Sequence, residues 1–292
     1  MLYSLENEQI KIEVNSFGAQ LFSLFSKKTQ TEYLWQGDPA YWTGRAYNLF
    51  PFIGRMYEGV FDFQGTRFPS RSHGLARYFE FTLESKTDDC LTFLFLSSEE
   101  TKKEYPFSFE FRARFRLDGS RFTTEYEVKN TDTQTLICAF GGHPGINVPF
   151  GKGAFEEYYL DFGSQQSPTQ ILLSESKFLA DKTAPYTLAE GRKLPLRHNL
   201  FDDDAVILEN SGGYVAVRCD KEERYVSMEY SDYPFIGFWH ACKTDAPYVC
   251  LEPWSALPAV DGVVVDLETK PNMYHVPVGD SKVASFTIEL HE

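Results

Sequence analysis

The sequence has no long apolar run, no Cys-x-x-Cys pair, no phosphate-cradling loop and very little helical periodicity. Each absence closes off a class of function. Without a long apolar run there is no candidate membrane-spanning helix. The opening Met1-Leu-Tyr-Ser-Leu-Glu carries no signal-peptide pattern, so a cytoplasmic protein is expected. The five cysteines, Cys90, Cys138, Cys219, Cys242 and Cys250, are odd in number and unspaced for redox or metal chemistry. They read as buried free thiols in a reducing compartment. Basic charge is short as well: 28 Lys and Arg face 42 Asp and Glu, a net charge of −14. That balance argues against nucleic acid and anionic membranes as partners. There is no Gly-x-Ser-x-Gly elbow and no dinucleotide fingerprint, and Gly141-Gly142-His143-Pro144-Gly145 is not followed by a helical pattern. No His-x-His or His-Glu-x-x-His occurs, so neither a metal nor a cofactor is expected.

What is abundant is aromatic. The 292 residues include 26 Phe and 17 Tyr, and 42% of the chain is hydrophobic, enough for a sizeable core. Large flat side chains suit pleated surfaces and the space between stacked sheets. They are placed with period two: Phe107, Phe109, Phe111 and Phe115 alternate with Ser108, Glu110, Arg112 and Arg114, and Ile10, Ile12 and Val14 with charged residues. Similar runs lie at 122–128, 215–219 and 226–230, with an apolar run at 91–96. Turn residues such as Asp118-Gly119 and Asn210-Ser211-Gly212-Gly213 separate them. The pattern predicts an all-β protein, a large antiparallel β-sandwich with very little helix, over one domain of residues 1–292. Ser98–Tyr105, closed by Pro106, is expected to hold one short helix, and Asp38–Trp42 a single turn. The stretch 164–198 reads as loop with short hairpins.

Four polar islands interrupt the strand sequence: Asn48–Arg55, Ser72–Arg77, Gly141–Asn147 and Leu251–Ser255. Each sets one strongly hydrogen-bonding side chain, Arg55, His73, His143 or Glu252, beside Gly or Pro. That context predicts turns or strand ends facing a cleft. His143 is read as leaving a core strand through a constrained turn, which suits an imidazole titrating near neutrality. Glu252 is read as a carboxylate ending a buried strand, with Pro253 stopping the ladder and desolvation raising its pKa. The Arg55 guanidinium fork suits two sugar hydroxyls, and Gly74 would let the backbone at His73 approach a ligand. Two imidazoles, a guanidinium and a carboxylate point to acid–base chemistry on a neutral, hydroxyl-rich small molecule.

In this order and context the islands resemble the aldose 1-epimerase (galactose mutarotase) family, and within it the LacX-like bacterial group. The resemblance spans nearly the whole chain and implies a galactose mutarotase-like supersandwich and an isomerase acting on carbohydrates. It implies that His143 is the general acid, Glu252 the general base, and Arg55 and His73 the groups that position the sugar. It also implies a further acidic residue in a Phe-Asp turn before a strand. Phe201-Asp202-Asp203-Asp204 offers three candidates, and Asp204, which abuts the strand, is favoured. The Gly-Gly-His-Pro-Gly run departs from the more aromatic His-Pro turn of the best-known members, so a different pocket is expected. The implied reaction interconverts the α and β anomers of an aldohexose such as galactose or glucose, with no cofactor.

Two other readings stay open. Arg45, Arg55, Arg67, Arg71 and Arg77 crowd one stretch and could serve a hexose 6-phosphate. A non-catalytic sugar-binding or regulatory module could use the same fold. A monomer and a homodimer fit the sequence equally.

Overall fold

The alternating runs become β-strands nearly everywhere. The structure, a computed structural model, describes residues 1–292 and contains twenty-four strands, five short 3-10 turns and no α-helix. No helix is long and apolar enough to cross a membrane. Two large antiparallel sheets dominate, one of nine strands and one of seven. The nine-stranded sheet is centred on Phe109–Asp118, Arg121–Asn130 and Ser281–His291. In the first two of these, every second residue is buried, as period two requires. Their outward residues form a charge ladder in which Arg112 bonds Glu84 and Glu110, and Arg114 bonds Glu125 and Glu127.

The seven-stranded sheet carries two of the candidate site residues, His143 and Glu252. Its order runs Leu179–Pro185, Thr169–Leu173, Val206–Glu209, Phe235–Trp239, Tyr248–Trp254, Gly141–Asn147, Ala46–Leu49. One face packs on the nine-stranded sheet. Phe50, next to its edge strand, stacks on Phe111 at 4.5 Å, and the Tyr126 hydroxyl donates to Asn48 Oδ1 at 2.6 Å. A Cβ at Gly142 would meet the Phe286 ring at 2.6 Å. Neighbours in sequence face the other way, so Tyr47 and His143 point to the sheet's free face.

The sequence reading of the helices was too generous. Of Ser98–Tyr105 only Thr101–Lys103 coils, as a single 3-10 turn. Asp38–Trp42 is a turn, with the Asp38 carboxylate accepting from the Ala40 amide. Within 164–198 the predicted hairpin forms between Thr169–Leu173 and Leu179–Pro185. All five cysteines are free, and Cys242 alone is half-buried rather than buried.

Candidate active site

Strand register builds the centre of the site. Gly141 stands opposite Trp254 and Gly145 opposite Cys250, so His143, midway between, is opposite Glu252. On the other side His143 faces Tyr47, and Glu252 faces Gly237, which faces Ile207. One row of side chains therefore crosses five strands on one face: Tyr47, His143, Glu252, Gly237, Ile207. Gly237 keeps that row open, since a Cβ there would sit 3.1 Å from the Trp254 ring and 3.5 Å from the Glu252 Cβ.

This placement corrects the turn reading of two islands. Gly141–Asn147 is itself a strand, paired on both sides, and Glu252 and Pro253 lie within Tyr248–Trp254. Pro253 does not end the strand. It and Pro144 lack an N–H, so both remove ladder bonds beside the His143–Glu252 pair. The glycines mark close approach: a Cβ on Gly141 would lie 2.4 Å from the Pro253 carbonyl oxygen.

Loops close the site over this row. The chain turns at Gly54, with φ of 66°, and at His73, with φ of 62°. The Gly54 amide donates to His73 Nδ1 at 3.1 Å, which leaves Nε2 as the N–H of the neutral ring. A Cβ on Gly74 would lie 2.4 Å from the Phe50 carbonyl oxygen. Gly74 thus admits the protein's own backbone rather than a ligand, contrary to the sequence reading. Arg55 is exposed at the rim. Its Nη2 donates to the Ser176 and Lys177 carbonyls at 3.1 and 2.9 Å, and it stacks on Phe178.

The result is an open cavity of about 240 Å³, room for a single ring-sized molecule. Arg55, His73, His143, Asp204 and Glu252 all line it. Of the three adjacent aspartates only Asp204 does so. Asp203 is solvent-exposed and paired with Lys177 at 3.1 Å. The arginine cluster disperses: Arg67 pairs with Asp62, Arg71 with Glu104, and Arg45 bonds Phe22 and Gln36. Arg55 and Arg77 alone of the five reach the cavity. Sequence reasoning named Arg77 only within the arginine cluster offered to a sugar phosphate; its guanidinium lies 3.6 Å over the Tyr47 ring. It also missed the aromatic walls, Trp42, Tyr47, Trp239 and Trp254, and Lys177. Trp42 stacks on the His143 ring at 4.9 Å.

Electrostatics at the centre follow from burial. His143 Nε2 lies 3.1 Å from Glu252 Oε2, yet off the line a hydrogen bond needs, so Oε2 has a close neighbour but no bond. Burial pushes the Glu252 carboxyl well above the usual carboxylate range. Asp204 adds to this, and the Trp254 indole opposes it. Burial pushes His143 well below the ordinary imidazole value, with His73 and Arg77 adding to it. Both shifts favour a pair carrying one shared proton over either charged extreme. Asp204 is raised by burial, with the Ala205 amide and then Arg55 opposing. Cys250 joins His143 and Glu252 in a group whose ligand atoms lie within 4.8 Å of one another. These three could hold a thiophilic cation, a possibility that spacing along the chain does not reveal because strand pairing assembles it.

His73 gives the first expectation. Burial, with Arg77 and Arg55 nearby, pushes its ring down to about 3 from 6.5. The unfolded chain therefore binds a proton there in a pH range where the folded chain does not. The stability this ring contributes is complete above pH 6.5 and is lost as pH falls towards 3. The loss is at most about 1.4 kcal/mol per pH unit, less because the ring edge reaches solvent. His73→Asn should shrink the drop in urea midpoint between pH 7 and pH 5, with His143 keeping part of it. An unchanged drop would show that His73 protonates freely in the folded protein.

Comparison with known proteins gives the family and the fold. The model of the aldose 1-epimerase family matches residues 1–258. The chain belongs to the aldose 1-epimerase family. Within that family it is 31% identical to the plasmid LacX protein of Lactococcus lactis over 301 residues, covering 99% of each chain. Its fold superposes on a galactose mutarotase related enzyme from Lactobacillus acidophilus with a TM-score of 0.95 and 34% identity, covering 100% of this chain and 98% of that one. A galactose mutarotase-like protein from Lactobacillus casei gives 0.94 and 30%, covering all of both chains. Epimerase-family membership and the antiparallel supersandwich are thus both established.

Proposed function

We propose that this protein interconverts the α and β anomers of an aldohexose, with Glu252 as general base and His143 as general acid. One observation carries the reading. Five buried side-chain polar atoms have no hydrogen-bond partner, and four of them belong to cavity residues: Arg77 Nε, His143 Nδ1, Glu252 Oε2 and Trp254 Nε1. Buried polar atoms are normally paired. Concentrating the exceptions in one cleft fits a site that awaits a ligand rich in hydroxyls, while the indole and phenol walls suit the C–H face of a pyranose.

The chemistry uses the pair's single proton. Glu252 takes the proton from the C1 hydroxyl as His143 gives one to the ring oxygen, and the C1–ring-oxygen bond breaks to the open aldehyde. Rotation about C1–C2 and the reverse transfers close the other anomer. Burial rests the pair's proton on Glu252, so sugar binding must first move it to His143 before the carboxylate can act as base. Ring opening then restores the neutral partition with the electrostatics, and reclosure runs against them. Arg55, His73 and Asp204 hold the remaining hydroxyls while the aldehyde turns.

A second reading has one observation behind it. Arg77 forms no ion pair, and it shares the cavity with Arg55 and Lys177, so a sugar phosphate would find cations there. Galactose is the first sugar to test, because the solved relatives are described as galactose mutarotase-like. Freshly dissolved α-galactose should lose its excess optical rotation faster with the protein than without it. Acceleration confined to 6-phosphates, and lost in Arg77→Ala, would move the assignment to a hexose 6-phosphate. Sugar binding with no acceleration on any aldose would leave a binding module.

A further inference from the structure

We infer that His198 and His240 form a latch that sets the position of Asp204, which makes them positioning residues for one wall of the cleft; the inference rests on the reading of the cleft given above. His240 follows the cleft-lining Trp239 at the end of its strand. Its ring is fully buried, with the Phe201, Phe155 and Tyr248 ring centres 4.4, 5.6 and 6.3 Å away. A phenylalanine would suit such surroundings, whereas an imidazole must satisfy two nitrogens there. Both are satisfied. Nδ1 lies 2.8 Å from the Ala241 carbonyl oxygen, and Nε2 lies 3.2 Å from His198 Nδ1. A carbonyl can only accept, so the neutral His240 ring carries its hydrogen on Nδ1 and leaves Nε2 bare. His198 must then donate from Nδ1. One backbone oxygen thereby fixes the tautomer of both rings.

The two ends of this bond differ in how firmly they are held. Ala241 is anchored on several sides: its carbonyl also accepts from Thr244 Oγ1 at 2.6 Å, and its amide donates to the Tyr248 hydroxyl at 3.0 Å. His198 opens the 3-10 turn His198–Phe201, with its ring stacked on Phe155 at 4.1 Å. From there the chain reaches Asp204 through local backbone bonds, Asp202 to Asn199 and Asp204 to Phe201. Asp204 has a φ of 87°, in the left-handed region that aspartate enters more readily than most residues, and its carboxylate accepts from the Ala205 amide there. Two other side-chain contacts tie the segment to neighbouring elements: Lys177 to Asp203, which is exposed, and the Trp239 indole to the Asp204 carboxylate. The histidine bond is part-buried, with its His240 end wholly so, and it restrains the start of the segment while Trp239 restrains its end.

Two variants test this. His198→Phe keeps the ring stacked on Phe155 but removes the donor, while His198→Asn restores a donor at similar reach. Asp204 would hold the sugar equally in ground and transition states, so the phenylalanine variant should raise KM for the aldose about fivefold with kcat within about twofold. It should also speed amide hydrogen exchange across residues 199–205, and the asparagine variant should recover both. A fall in kcat at unchanged KM, or exchange that does not change, overturns the latch. If the protein binds no aldose, the reading of the cleft fails and exchange alone decides the latch: faster exchange in His198→Phe upholds it, unchanged exchange refutes it. Should His198→Phe not fold, nitrogen-15 spectra of the unaltered protein decide instead. The latch requires a bare His240 Nε2 and a protonated His198 Nδ1, and the opposite tautomers would end it.

Discussion

Glu252→Gln should lower kcat for anomer interconversion by about 10²–10⁴, the usual worth of one general acid or base. Sugar affinity should stay within about threefold, because the amide keeps the shape and most of the hydrogen bonding. Folding is no obstacle to the test. Burial already drives this carboxyl towards its neutral form, so an uncharged amide in its place removes a desolvation cost rather than adding one. His143→Asn should cause a comparable loss. The double variant should be little worse than the poorer single one, since the two groups serve one transition state. Polarimetry on galactose, glucose and their 6-phosphates decides the matter. Near-wild-type turnover in Glu252→Gln on any of them would make Glu252 structural there and leave the base unidentified.

The second large effect should come from a residue with no side chain. In Gly141→Val the new Cβ would meet the Pro253 carbonyl oxygen at 2.4 Å, a backbone atom that moves only if the two strands part. A loss of about 3 kcal/mol is expected, seen as a fall in Tm of roughly 6–12 °C. Activity should fall further than stability explains, because the parted strands carry His143 and Glu252. Gly145→Ala is the contrast: its nearest neighbour is the Trp35 Cβ at 3.1 Å, and a small shift relieves it. Equal Tm values for Gly141→Val and the unaltered protein would refute the close-packing account.

Those two glycines also show where sequence reasoning reached its limit. The alternation of Phe109–Asp118 and Arg121–Asn130 made the sheets legible, and each polar island did contribute to one cleft. The local conformation of the islands was misread, because Gly and Pro signal a turn in isolation and a tight interstrand approach once neighbours are known. Gly141 makes room for the Pro253 carbonyl of the neighbouring strand, and Gly142 for the Phe286 ring of the opposite sheet. The aromatic walls were hidden for a related reason: Tyr47, Trp239 and Trp254 occupy strand positions where large rings belong to a core, and only sheet order shows which face is free. Arg77 stood inside a recognised island and was read only as one of five clustered arginines. Nothing local reveals that its Nε is buried without a partner. Asp204 was favoured over Asp202 and Asp203 because it stands nearest the strand, which begins at Val206.

The row from Tyr47 through His143, Glu252 and Gly237 to Ile207 has a consequence for how the protein comes to be competent. Each member belongs to a different strand, and parity along a strand is unforgiving. A slip of one residue in any pairing turns that side chain to the opposite face, and a slip of two carries it about 7 Å along the sheet. Neither error changes the strand content or a far-ultraviolet spectrum to any useful degree. In the pairing of the His143 and Glu252 strands either would part the two side chains, and in the outer strands either would displace a wall of the cleft. Sugar binding therefore audits the alignment of five strands at once, and a refolded preparation can be graded for correct registration by its ligand capacity alone.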